Sequence, residues 1–472
     1  MSPNADKLTS TQIITIAVLA ASASVALVSE LMLGVALPTI MAELQVTAST
    51  GQWLTTAYAL TLAVIIPTTG YILRRFRLRH VFTASMALFT IGTIICAGAP
   101  GFAMLLTGRI VQALGTGVLV PLLLTTTFGI VAPARRSQMM ALVTAVISVA
   151  PALAPAFSGV VMAQLSWRWL FIIVLPLAAF VLVIGALKMP NPPAQTTTTF
   201  DVLSLALAAV GFGALVYGLS AVGEGAGHGI PTSFWAALPL GLLGVAGFVL
   251  RQLRLQRISS PLLDMRVFRR RAFTIPAIQF AFLVAGAFST SVILPLVYQQ
   301  ALGLGVFATG LLMAPGGLMI VLGSVIAGKL YHRLGARTLM ITGATIIACG
   351  WWFLTTIDHT SSKWVLLATF VLICAGQSLA WTPIFTLSLG SLPDELHAHG
   401  SAALTTIQQL LGAAGLAILV GVFAVNTTGS GPSAIADGAQ AAFTAGGIIA
   451  VAGLVASLFV PSRRQQQHTT AD

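Results

Sequence analysis

Apolar runs separated by short polar turns fill almost the whole chain. They lie near residues 12–37, 51–73, 80–99, 102–130, 138–163, 168–188, 202–222, 234–251, 273–297, 306–329, 337–357, 364–390, 401–424 and 440–461. Most come close to the roughly 20 residues a helix needs to cross the hydrocarbon core of a bilayer. Backbone groups in lipid must pair internally, so only helices or closed barrels span it. Barrel strands are short and alternate in polarity, and these runs do neither. The pattern therefore predicts an all-α membrane protein with about fourteen transmembrane helices.

Composition agrees. Of 472 residues, 57% are hydrophobic and only 7% are charged, against about 25% charged in soluble domains. The net charge of +12 does not mark a nucleic-acid partner, because the basic residues sit in small clusters between spans. With the N-terminus inside, the inner loops collect all 23 Lys and Arg residues except Arg109, Arg168 and Lys363. That asymmetry predicts an even span count with both termini cytoplasmic. Residues 1–10 are polar and the first apolar run leads into a polytopic pattern, so no cleavable leader is expected. Cys96, Cys349 and Cys374 each fall within a span with no ligand spacing, and read as small packing residues.

The chain also repeats weakly. Gly70-Tyr-Ile-Leu-Arg-Arg-Phe-Arg-Leu-Arg79 follows span 2, and Gly328-Lys-Leu-Tyr-His-Arg-Leu-Gly-Ala-Arg337 follows span 10. Pro121 precedes a turn at Pro133 as Pro383 precedes one at Pro393. Duplicated halves are typical of secondary transporters, whose substrate site lies between them. The expected organisation is a cytoplasmic tail (1–11), a six-helix bundle (12–188), a linker with two inserted helices (189–272), a second six-helix bundle (273–461) and a cytoplasmic tail (462–472). The repeated loops, with Gly70, Arg74, Arg75, Gly328, Arg333 and Arg337, are read either as topology signals or as cations that hold one conformation across the bundle interface.

Candidate chemistry is sparse. No phosphate-binding loop, catalytic constellation or metal-ligand cluster appears, so neither an enzyme nor ATP-driven transport within this chain is expected. His397 and His399 read as part of a solvated inner loop. Glu30 is the carboxylate set well inside an apolar span. A charge there costs about 2.5–3.5 kcal/mol on insertion scales, and such residues serve ions, protons or ligands; the alternative is a static partner for Arg109. Arg109 and Gln112 share a helix face by their i,i+3 spacing. In Ala150-Pro-Ala-Leu-Ala-Pro-Ala-Phe-Ser-Gly159, Pro151 and Pro155 remove backbone hydrogen bonds, and small residues through Gly159 let a neighbouring helix approach; the segment reads as a hinge or seal, or as a kinked packing helix. Trp53, Tyr58, Tyr298, Gln299, Gln377 and Trp381 are candidates for lining an apolar cavity with scattered polar handles, the alternative being interhelical contacts or interface anchors.

Together these motifs resemble the fourteen-span drug:proton antiporter branch of the major facilitator superfamily. The resemblance rests on Glu30-Leu-Met-Leu-Gly-Val-Ala-Leu-Pro-Thr-Ile40, Gln52-Trp-Leu-Thr-Thr-Ala-Tyr58, Arg109–Gly117, Ala150–Gly159, Trp167-Arg-Trp-Leu-Phe171, Pro295–Gln299 and Ala308–Gly316, in that order. It implies a bacterial inner-membrane exporter of amphipathic or cationic molecules. Such an exporter is driven by the proton gradient without a cofactor and acts as a monomer; proton transfer involves the Arg109 motif, and the Ala150 segment is the antiporter motif. A dedicated exporter of one metabolite, such as an amino acid or siderophore, fits the same scaffold. Two positions depart from the branch. Arg74 stands where the loop motif normally carries aspartate. The span-1 acid is at Glu30, one residue after Ser29, as in the lincomycin-efflux-like subgroup.

Overall fold

The computed structural model describes residues 9–190, 201–224, 232–257, 261–358, 361–427, 429 and 431–461. Most of the predicted linker and both tails lie outside them. The helices are α1 (Ser10–Glu43), α2 (Ala48–Ile65), α3 (Thr69–Arg75), α4 (Leu78–Ala97), α5 (Phe102–Ile130), α6 (Arg136–Gln164), α7 (Arg168–Lys188), α8 (Val202–Glu224), α9 (Thr232–Leu255), α10 (Arg271–Leu296), α11 (Val306–Leu354), α12 (Lys363–Gly390), α13 (His397–Asn426) and α14 (Pro432–Leu458). Their ends carry local signals. Thr9 and Gln12 form a reciprocal capping box on α1, Ser362 caps α12, and Pro432 opens α14 where its missing N–H costs nothing.

Twelve helices among the described residues are long and apolar enough to cross a membrane. Two of the runs in the sequence account for the difference from fourteen. α11 has 49 residues, a length of about 74 Å at 1.5 Å per residue, more than twice the hydrocarbon core of roughly 30 Å. It merges runs 306–329 and 337–357 through Gly335, whose φ of 79° and ψ of 163° break the helical track in a conformation that suits glycine. α6, whose side chains at Pro151, Pro155 and several neighbours lie outside the described residues, is not among the twelve.

Packing follows the two halves of the chain. α1, α2, α4, α5, α6 and α7 pack on one another, and α10 to α14 do the same. α8 and α9 form a tight pair. A Cβ built on Gly211 would lie 2.5 Å from the Val245 backbone nitrogen, and one on Gly244 would lie 2.5 Å from the Gly211 Cα. Bare backbone thus replaces side chains at their crossing, the small-residue packing that membranes favour. α8 rests on α2 and α13, while α9 turns Trp235, Leu240, Leu242, Leu243 and Leu250 outward. An apolar surface of that extent fits a hydrocarbon solvent.

Candidate functional site

The polar side chains of the first half converge inside it. Glycines set the backbone geometry. A Cβ on Gly92 of α4 would lie 2.5 Å from the Gln112 nitrogen, one on Gly108 would meet Cys96, and one on Gly115 would meet the Ser85 carbonyl. α5 therefore lies directly against α4, and the i,i+3 pair Arg109 and Gln112 faces inward. Arg109 is 1% exposed. Its Nη1 donates to Gln112 Oε1 at 2.8 Å, and its guanidinium lies 3.9 Å from the centroid of the Tyr58 ring. Gln112 Nε2 donates to Thr93 Oγ1 at 2.9 Å and Ser29 Oγ at 3.1 Å. Tyr58 donates to Thr116 Oγ1 at 2.9 Å. One network thus links α1, α2, α4 and α5, and a cation–π contact plus one hydrogen bond offset part of the desolvation of a full positive charge.

Glu30 stands at the edge of this network rather than in it. It is half-buried, one residue after Ser29, and none of the ion pairs within 4.0 Å among the described residues joins it to Arg109. The static-partner alternative for Glu30 is therefore not what this conformation contains. Arg109 instead meets Gln112 and Tyr58, and its Nε is buried without a hydrogen-bond partner among the described residues.

The other sequence candidates separate. Trp53 stacks on Tyr217 of α8 at 5.7 Å between centroids. It lines an apolar groove of about 600 Å³ between α2, α5 and α8. Tyr58 belongs to the Arg109 network. In the second half, Trp381 packs edge-on against Phe280, and Gln377 is buried one turn before it. Tyr298 is buried in a π-helical turn, Val297–Ala301, that follows α10. Its hydroxyl has no hydrogen-bond partner among the described residues, and the same holds for Thr382 Oγ1. Gln299 is half-buried in the same turn. Pro151 and Pro155 lie outside the described side chains. Gly159 has open space around its missing Cβ, so it is not a point of close helix approach here; Ser158, donating to the Met32 carbonyl at 3.0 Å, joins α6 to α1 instead.

The repeated basic loops do meet across the two halves. Gly70 lies so close to His399 of α13 that a Cβ would overlap Nδ1, and Gly328 approaches Ala141 of α6 in the same way. The residue four positions after each glycine also reaches across. Arg74 Nη1 lies 3.2 Å from His399 Nε2, and His332 Nε2 lies 2.8 Å from Ser137 Oγ. Thr125 and Ser401 hydroxyls lie 2.5 Å apart beside them. Arg75, Arg333 and Arg337 take no part: Arg75 packs on Phe76, Arg337 donates to the Leu458 carbonyl within its own half, and Arg333 is exposed.

Two readings of the sequence are corrected. His397 and His399, expected in a solvated loop, are 2% and 1% exposed, because α13 starts at His397 and packs on α3 and α5. Cys349, expected to be packed, is exposed, unlike buried Cys96 and Cys374. A glycine-led loop matched to a histidine at the start of a later helix is a contact that no local pattern revealed.

The model of the Major Facilitator Superfamily matches residues 19–416, and the chain belongs to that family of membrane transporters. Lincomycin resistance protein LmrB of Bacillus subtilis is 36% identical over 444 residues, 92% of each chain. The Multidrug resistance protein B homolog of Mycobacterium tuberculosis is 30% identical over 393 residues, 82% of this chain and 71% of that one. The crystal structure of the human organic anion transporter MFSD10 superposes with a TM-score of 0.69 at 15% identity, covering 94% of this chain and 99% of that one. That likeness concerns the fold. The chain is thus a multi-pass membrane transporter, not an enzyme.

Proposed function

We propose that this protein expels amphipathic or cationic small molecules, including antibiotics, in exchange for protons. The observation that carries the proposal is Glu30, a half-buried carboxylate inside an apolar helix with the Arg109 network beside it. The names of the relatives, lincomycin resistance and multidrug resistance proteins, support the substrate class. The two halves alternate access as a monomer in the bacterial inner membrane, with fourteen spans and both termini cytoplasmic; the basic-loop asymmetry supports that orientation. The cross-half contacts described above lie at the basic end, which supports an outward-facing state. In the cycle, a proton from outside neutralises Glu30 and weakens its hold on a cation. Rearrangement then exposes Glu30 inside, where the proton leaves and a new substrate enters. The residues Tyr298, Gln299, Gln377 and Trp381 contribute the apolar and polar lining of the second half.

Glu30→Gln tests this. It keeps shape and hydrogen bonding while removing the titrating group. In energised vesicles it is expected to abolish proton-dependent efflux with membrane insertion unchanged. Full proton-driven efflux by that variant overturns the assignment. Mutual competition among unrelated dyes and antibiotics is expected; transport of one metabolite without such competition favours the dedicated exporter.

A further inference from the structure

Closure of the basic end brings Arg74, a cation, against the opposite half, where it needs a partner. The structure supplies one from the opposite half. Arg74 Nη1 lies 3.2 Å from His399 Nε2, and Arg74 Nε is buried with no hydrogen-bond partner among the described residues. Guanidinium has donors only, so the contact requires an unprotonated Nε2. Nδ1 is also met by a donor, the Asp264 backbone N–H at 3.3 Å; a neutral ring can accept at one of the two nitrogens and a protonated ring at neither.

The charges around the ring sharpen the requirement. α3 contributes Arg74. The segment before α10 contributes Asp264 and Arg266. Asp264 is fully buried, and both of its oxygens are taken by Arg266: Oδ2 accepts from Nε at 2.9 Å and Nη2 at 2.6 Å, and Oδ1 accepts from the backbone N–H at 2.9 Å. Its neighbour on α13, His397, faces Asp394 and the Leu392 carbonyl. His399 therefore meets one free cation, Arg74, and one carboxylate already paired. A second proton on the ring deletes the acceptor that Arg74 uses and sets like charges 3.2 Å apart. Gly70 leaves no slack, since its missing Cβ is what admits the ring.

We infer that His399 is the positioning residue of a proton-sensitive clasp that holds the basic end shut when its ring is neutral and releases it when the ring is protonated. The pseudo-equivalent contact does not share this property. Ser137 can accept from a protonated His332 as readily as it donates to a neutral one. Given the exporter reading above, on which this consequence rests, acid on the cytoplasmic side favours the inward-open state.

The test is an inter-half distance. Spin labels at Arg77→Cys and Thr338→Cys, both exposed, report the basic end in a Cys349→Ser, Glu30→Gln background, so that Glu30 does not titrate. Between about pH 8 and pH 5.5, the range in which histidine changes charge, the longer-distance population is expected to rise. A ring that takes up its proton near the ordinary value of 6.5 only in the open state raises the open-to-closed ratio about tenfold by pH 5.5. His399→Gln keeps an acceptor for Arg74 but cannot be charged, and is expected to stay closed at both values. Arg74→Gln, which keeps a donor without the charge, shrinks the shift, and His332→Gln leaves it intact. A distribution in the parent that does not move with pH overturns the inference, as does an undiminished shift in His399→Gln. Efflux is measured separately. Loss of the exporter reading leaves the distance result standing, and the reverse also holds.

Discussion

Gln112→Leu separates a structural from a functional role for the Arg109 network. The substitution preserves volume but removes three hydrogen bonds: acceptance from Arg109 at 2.8 Å and donation to Thr93 and Ser29 at 2.9 and 3.1 Å. Interhelical hydrogen bonds in membranes average about 0.6 kcal/mol each. A buried cation that loses its acceptor costs about 1.5–3 kcal/mol. The sum is about 3 kcal/mol. Unfolding entropy near 2.1 cal/mol/K per residue amounts to about 1 kcal/mol/K for a chain of this length. The melting temperature of the detergent-solubilised protein is therefore expected to fall by about 3 °C. Thr93→Val removes two neutral bonds, acceptance from Gln112 and donation to the Phe89 carbonyl at 2.7 Å, and is expected to cost about 1 °C. Combined with Gln112→Leu it adds only the loss of the Phe89 bond, because the Gln112 partner is already gone. Glu30→Gln, by contrast, breaks none of the ion pairs of this conformation and is expected to melt with the wild type while losing transport. If Gln112→Leu melts within about 1 °C of wild type, the bonds that organise the site are not formed and the separation between scaffold and proton carrier falls.

Other expectations follow from local geometry. Gly70→Leu forces a branched side chain into His399 and toward the Leu262 carbonyl, which a Cβ alone already approaches to 3.1 Å; thiol reagents should then label cysteines placed at the basic end several-fold faster. Gly335→Ala puts a Cβ on a backbone with φ of 79°, and should lower stability by about 1 kcal/mol, seen as a small loss in melting temperature without loss of substrate binding. Asp201, just before α8, pairs with Arg251 at 2.7 Å, and the hydrogen bonds from Arg251 outweigh desolvation to hold its carboxyl down at about 2. The depressed value means that its stabilisation is full above the ordinary value of 3.8 and is lost as pH falls through about 2. Asp201→Asn should remove that part of the acid-induced loss in a pH series of melting curves. Trp53→Ala should free Tyr217 and loosen α8 from α2 by about 1 kcal/mol, detected as faster proteolysis of the α8–α9 pair.

Much of the architecture was legible because lipid imposes a one-dimensional rule: a spanning helix must satisfy its own backbone and show about 20 apolar residues. Runs 102–130 and 168–188 coincide with α5 and α7 for that reason. The isolated cost of a charge in hydrocarbon likewise pointed to Glu30 and Arg109, and helical spacing put Gln112 beside Arg109. What these residues touch was not local information. Arg109 lies on Tyr58 and Gln112 and forms no ion pair with Glu30 among the described residues, which depends on how α1, α2 and α5 pack. Gly70 and Gly328 were visible as repeats, yet their partners His399 and Ala141 lie hundreds of positions away in one case and in the opposite half in both. The sequence by itself determined the solvent, the helices and the few groups able to carry charge. The tertiary structure decided which of those groups meet, because a contact between two halves depends on the packing of every helix between them.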